Sequence, residues 1–396
     1  FDMTQAVAEV DRDTPQGRVR ALYTFLDDRF GAQGFYGNYP SWEATTAHGF
    51  LLSATLDKGA FAGHATRLDA TWRRHDDNYV LYRDRPALYQ NLHTDSTYQF
   101  KAVSVLFQGE RTTLTGEAEA SRDGLSSARL GIHRVDRLAA ALEAIQELAP
   151  GLTFQASLRG DHTSTWGSVW TPGAGLAWNA APRLKLRAAW GRAFRAPSFT
   201  ELYYTSPAQV GNPALQPERA DSVEAGADWY GGGGALLSMT AFHRRDRDQI
   251  DWIRHDPREP WTASNIGTVR VDGLSASASL HPVARLGLRA GWTCTRLRIP
   301  PADYVSRYAP DCVKSQLSLA ADGDLGRGWG ASASCVHKQR ALPGPDPLLL
   351  ALKVSRRFGA CEAYVQGENL LDKHYEELAG VPMPGRTFRA GLSWRR

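Results

Sequence analysis

The sequence predicts an all-β protein, an antiparallel transmembrane β-barrel, and three observations predict it. Apolar and polar side chains alternate with period two in segment after segment. That is the pattern of a strand with one greasy and one wet face. The segments are joined by short turns alternating with longer polar loops, as in a barrel with one tight rim and one elaborated rim. No apolar run approaches the roughly 20 residues of a membrane helix, so any bilayer crossing has to be made by strands.

In chain order, aromatic and charged loops over residues 30–43 and 79–93 separate the first long segments. Residues 135–148 are rich in Ala, Leu and Glu and have good helix propensity. They are read as a strand nonetheless, because a lone helix would break the connectivity of the sheet. Leu152, Phe154, Ala156 and Leu158 then oppose Thr153, Gln155, Ser157 and Arg159. Leu184, Leu186, Ala188 and Trp190 oppose Lys185, Arg187, Ala189 and Gly191. Val223, Ala225, Ala227 and Trp229 oppose Glu224, Gly226 and Asp228, so that Glu224 and Asp228 face the interior. Leu237, Met239 and Ala241 follow, and after a loop over residues 252–261 the pattern continues to a closing strand. There Phe388, Ala390, Leu392 and Trp394 oppose Thr387, Arg389, Gly391, Ser393 and Arg395. About 19 such segments are present, where a soluble sandwich has about seven to nine strands. Short turns are expected at residues 57–59, 179–182, 231–234, 281–282 and 322–324, each rich in Gly, Pro, Asn or Asp. Trp166, Trp170, Trp178, Trp190, Trp229, Trp292 and Trp394 lie near segment ends, where interfacial girdles form.

The chain has 396 residues, 42% hydrophobic and 22% charged. No Pro/Ser-rich linker or composition break divides it, so residues 1–396 are read as one barrel domain. The net charge is +4, with arginines spread one or two per strand; a nucleic-acid binder would call for a clustered basic patch, and the expectation here is lumen and loop arginines balanced by carboxylates. Four cysteines show neither CxxC nor zinc spacing. Cys294 and Cys312 flank a loop and could cross-link in an oxidising compartment, but their parities disagree. Asp27, Asp28, Asp76 and Asp77 are the candidates for a calcium site in a loop. No Gly-x-Ser-x-Gly, P-loop or His-Glu-x-x-His is present, so neither an enzyme nor a cofactor is expected. The opening Phe1-Asp2-Met3-Thr4 carries no signal-peptide pattern, which is the expectation for a processed or truncated chain.

An ordered set of motifs adds to this reading. Gly191-Arg192-Ala193-Phe194-Arg195-Ala196-Pro197-Ser198-Phe199-Thr200-Glu201 leads to Leu202-Tyr203-Tyr204. Gly211-Asn212-Pro213 with Gln216-Pro217-Glu218-Arg219, then Asn265-Ile266-Gly267 with Asp272-Gly273-Leu274, come next. Glu368-Asn369-Leu370-Leu371-Asp372 and Pro384-Gly385-Arg386-Thr387-Phe388 close the set. In this order they resemble the barrel of TonB-dependent outer-membrane receptors, nearest the vitamin B12 and siderophore branch, across residues 190–396. The resemblance implies a monomeric barrel of about 22 strands around a plug domain, seated in outer-membrane lipid. It also implies extracellular loops that take up a scarce chelate, and a TonB complex that drives import through the plug. The chain shows no plug-like segment, about three strands ahead of Phe1 are unaccounted for, and it ends Trp394-Arg395-Arg396 where the family usually ends on an aromatic residue.

Ligand contacts are expected from aromatic and basic loop tips, because aromatic faces bury planar chelates and arginine matches carboxylate or phosphate. The candidates are Phe35, Tyr36, Tyr39 and Trp42 in the first loop, Tyr79, Tyr82, Arg83 and Tyr89 in the second, and Tyr203 and Tyr204 in a later one. Two other functions are consistent with the same residues: a passive diffusion porin, and a surface-binding receptor scaffold.

Overall fold

The computed structural model describes residues 1–32, 39–57, 64–308, 312–341, 344–378 and 381–394. Among them, 19 strands form one sheet. It is an up-and-down antiparallel meander running from Asp2–Thr14 and Gly17–Gly31 to Cys361–Glu368 and Thr387–Trp394. No pairing joins Asp2–Thr14 to Thr387–Trp394 among the described residues, so these two strands are its edges. Gln90–Gln108 and Gly131–Ala149 are 19 residues long, more than the 9–11 that cross a bilayer, and therefore project beyond it.

The helix-prone segment lies in the strand Gly131–Ala149. It pairs with Thr112–Ser127 on one side and Leu152–Thr163 on the other. Hydrogen bonding to two neighbours decides the matter, because an apolar solvent offers the backbone no other partner.

Several turns sit a few residues from where composition places them. Asp322, Gly323 and Asp324 are inside the strand Val313–Gly326, and the chain reverses at Arg327 and Gly328, whose φ angles are 53° and 79°. His281 and Pro282 lie within Val269–Val283, where the register shifts between Leu280 and Val283; a bulge tolerates the missing proline N–H. Asn179 pairs with Lys185 inside its strand, leaving residues 182 and 183 for the turn. Residues 231–234 do form a turn, and 58–63 lie outside the described residues.

Register separates two faces. Phe50, Trp72 and Tyr98 stand side by side on one of them. Phe50, Phe100, Leu138, Trp170, Trp190 and Met239 are exposed there, as are Trp178, Trp229, Trp292 and Trp394 from the expected girdles. The opposite face holds paired charges. Arg159 donates to Glu117 at 2.7 Å, Asp161 at 2.9 Å and Glu119 at 3.2 Å, and Lys101 lies 2.8 Å from Glu117. Asp161 is only 3% exposed. Arg187 reaches Asp228 at 3.2 Å and Thr240 at 2.6 Å, so Asp228 takes its partner from the wall itself. Exposed aromatics on one face and satisfied ion pairs on the other fit a sheet between lipid and a wet interior.

Parity also settles two minor expectations. No disulfide joins Cys294 and Cys312; Cys294 stands between Leu274 and Ser315 on the apolar face. Asp27 and Asp76 flank Thr46 on one face, while Asp28 and Asp77 flank Thr45 on the other. Asp27 and Asp76 engage Arg29 and Arg74 at 3.0 and 2.8 Å. Among the described residues no group of three or more His, Cys, Asp or Glu is arranged to hold a metal.

These faces can be tested by a pair of substitutions. Leu142→Arg, on the apolar face, should destabilise the protein by about 2–4 kcal/mol in urea unfolding from lipid vesicles. Gln155→Arg faces inward beside Glu143 and should stay within about 0.5 kcal/mol. Equal costs would contradict the assignment.

Candidate binding site at the loop rim

All long connections leave the same end of the sheet, and the one that organises them follows the strand Leu184–Arg195. Pro197 cannot donate to a ladder and ends it. Ser198 then caps the short helix Phe199–Tyr203, and Glu201 returns the bond in a capping box. Arg195 holds Glu201 through both terminal nitrogens at 3.0 Å and Glu218 through Nε and Nη2 at 2.7 Å. Glu218 Oε1 also accepts the Ile250 N–H at 2.6 Å, tying in the next long connection. Burial raises the Glu201 carboxyl, but hydrogen bonds from Arg195 and Ser198 outweigh it and hold the group below its ordinary range. Gly211 packs so closely that a Cβ there would lie 2.9 Å from the backbone of Leu202, Tyr203 and Tyr204. Asn265 and Gln216 bond reciprocally at 3.0 Å.

The loops are not irregular throughout. Ile250–Arg254 and Trp261–Asn265 form a hairpin within a five-stranded sheet that also takes Thr205–Ser206, Gln209–Val210 and Val305–Ser306. Leu202, Leu215, Ile250, Trp252 and Ala263 make its core. The motif residues are therefore largely scaffold, and what they position is the pair that ends the helix.

Tyr203 stacks on His133 with ring centroids 3.6 Å apart and planes 2° from parallel; Phe199 lies 6.0 Å from the same imidazole. Tyr204 shares a hydrogen bond with the Tyr89 hydroxyl. Tyr79 meets Tyr89 edge-on at 6.3 Å, and the Arg129 guanidinium sits 4.5 Å over the Tyr89 ring. Burial first, and the Tyr204 contact second, push the Tyr89 phenol up to about 12. Beside them Tyr39 and Tyr82 meet edge-on at 5.8 Å, with Arg85 5.5 Å over Tyr82. At roughly 4.8 Å per strand, Tyr79 and the end of Leu184–Arg195 are about 29 Å apart along the wall. Contact between the loops that follow them means that residues 199–204 cross the mouth of the polar face.

The structure thus gathers Tyr79, Tyr89, Tyr203 and Tyr204 into one cluster and places Tyr39 and Tyr82 next to it. Arg83 ties the second loop to the first through its N–H to the Pro40 carbonyl at 3.1 Å. Trp42 shares the parity of Phe50 and so belongs to the apolar face, away from the cluster. Phe35 and Tyr36 lie outside the described residues. Arg129, His133 and Arg85 were not singled out by the sequence, and Phe199 only as part of a motif; Arg129 lies in a turn too short to read as a binding loop, and His133 in the strand that follows it.

The chain matches the family model "TonB dependent receptor-like, beta-barrel" over residues 4–345. It belongs to this family. A vitamin B12 transporter, BtuB, from Vibrio vulnificus is 29% identical over 233 residues, covering 57% of this chain and 36% of the relative. An iron-regulated outer membrane virulence protein from Vibrio cholerae is 25% identical over 254 residues, covering 58% and 39%. The chain thus spans well under half the length of these curated relatives. The siderophore receptor PirA from Pseudomonas aeruginosa superposes with a TM-score of 0.79 at 17% identity, over 98% of this chain and 70% of that one. It establishes the barrel-type fold.

The Arg195–Glu201 clasp carries a pH dependence. Because Glu201 has a lowered folded value, its stabilisation is present above the unfolded value and is lost as pH falls through the folded one. Protection factors over residues 198–204, taken against the intrinsic exchange rate at each pH, should fall about 10-fold in Glu201→Gln, and should fall likewise in the parent chain when it is acidified below the ordinary carboxylate range. Unchanged protection in both would remove the clasp from the account.

Proposed function

We propose that this chain is the barrel portion of an outer-membrane, TonB-dependent importer for a scarce chelate of the cobalamin or ferric-siderophore type. Residues 1–396 are read as one barrel domain acting as a monomer, with energy coupling reaching it through a plug domain. The observation that carries this reading is the cluster at the mouth, in which Tyr79, Tyr89, Tyr203 and Tyr204 meet Arg129 and His133. Flat aromatic faces desolvate a planar or catecholate chelate, and a guanidinium that already lies over a ring is placed to meet the anionic groups of the ligand. The names of the relatives, vitamin B12 transporter and siderophore receptor, support the same class, and neither describes an enzyme. A passive pore would have no use for an aromatic clamp across its mouth.

Equilibrium binding of cobalamin and of a panel of ferric siderophores to the refolded chain tests this directly. One of them should bind, and Tyr89→Ala and Tyr204→Ala should each weaken it about 10-fold. Tyr98→Ala, on the apolar face, should leave affinity unchanged. No binding across the panel, or equal losses from all three substitutions, would contradict the proposal.

A further inference from the structure

Beyond the mouth, register assembles a second charged surface on the opposite, apolar face. In the neighbouring strands from Leu184–Arg195 to Leu286–Arg298, the outward positions change chemistry abruptly toward the loop end. Outward of Trp190 comes Arg192, and beyond Val223 come Asp221 and Arg219. Ala241 is followed by His243, Arg245 and Arg247, and Leu274 by Asp272 and Arg270. Cys294 is followed by Arg296 and Arg298.

The pairings leave this belt strongly basic. Arg192 and Arg247 share Asp221 at 2.9 and 3.1 Å, and Arg298 and His243 share Asp272 at 3.2 and 2.7 Å. Arg219, Arg245, Arg270 and Arg296 are exposed and make no ion pair among the described residues. Seven arginines face two aspartates, an excess of five positive charges with His243 neutral. The earlier half of the same face differs. There Arg29 has Asp27, Arg74 has Asp76, and Arg122 and Arg134 both have Asp136. Local neutralisation is therefore a habit of this wall, and the second half departs from it.

We propose that this belt binds the phosphate groups of an outer-leaflet lipid headgroup. A ligand that meets these arginines also meets Trp190, Val223 and the apolar wall below them, so it has to be an amphiphile with an anionic head. Guanidinium forks on adjacent strands about 5 Å apart suit the oxygens of phosphate better than a single carboxylate. A soluble chelate binds at the mouth, on the other face. This inference rests on the outer-membrane placement proposed above.

The probe is diphosphoryl lipid A, titrated into the full chain in nonionic-detergent micelles, against the same lipid with both phosphates removed. The parent chain should favour the phosphorylated lipid about 10-fold or more, with affinity falling as salt rises. Arg245→Gln/Arg270→Gln/Arg296→Gln should abolish that preference, Arg270→Gln alone should reduce it a few-fold, and Arg74→Gln/Arg134→Gln should keep it within about 2-fold. Equal binding of both lipids by the parent chain, or full preference retained by folded Arg270→Gln and the triple variant, would overturn the inference. A chain recovered in the soluble fraction would instead fail the placement on which it rests.

Discussion

A strand that crosses lipid must hand its N–H and C=O groups to neighbouring strands, because nothing else at that depth can accept or donate. This constraint fixes most of what is observed. It holds the alanine- and leucine-rich residues 131–149 extended between two partners against their helical preference. It forces an up-and-down order in which sequence neighbours are spatial neighbours. Pleating then sorts side chains to two faces, so one register decides both that Trp170 meets lipid and that Arg159 meets Glu117, Glu119 and Asp161.

At the loop rim the constraint is lifted, and a different device takes over. Arg195, at the last rung of its strand, holds two carboxylates, one from the helix it precedes and one from the strand that follows. Through Glu218 and Ile250 the same clasp reaches the small loop sheet and its Leu202–Trp252 core. The helix is too short to be stable on its own; the clasp, the capping box and the close approach of Gly211 hold it across the mouth. Tyr203 and Tyr204 are delivered in this way to His133 and Tyr89, residues that arise several strands earlier.

How much of this could be read in advance follows from the same physics. Period-two alternation is local, so faces and strands were legible, including the strand with helical propensity. Turns were legible only approximately: Asp322, Gly323 and Asp324 look like a turn, yet the positive-φ positions that reverse the chain are Arg327 and Gly328. Tyr79, Tyr89, Tyr203 and Tyr204 were found as loop aromatics, but their meeting was not, since it depends on how a 22-residue connection folds back (residues 196–217). Arg129 and His133 were missed because a three-residue turn between Ser127 and Gly131 carries no loop signal. The basic belt was unreadable for another reason. One or two arginines per strand look dispersed along the chain, and only the register sets Arg245 beside Arg270 and Arg270 beside Arg298.

The central claim is a membrane wall with its elaborated rim outside the cell, and site-specific labelling tests it most directly. In a chain whose four cysteines are replaced by serine, Asp256→Cys marks the long-loop rim and Gly359→Cys the tight-turn rim. On intact cells a membrane-impermeant maleimide should label Asp256→Cys and spare Gly359→Cys until the outer membrane is opened. Labelling of both before opening, or of Gly359→Cys alone, would contradict the account.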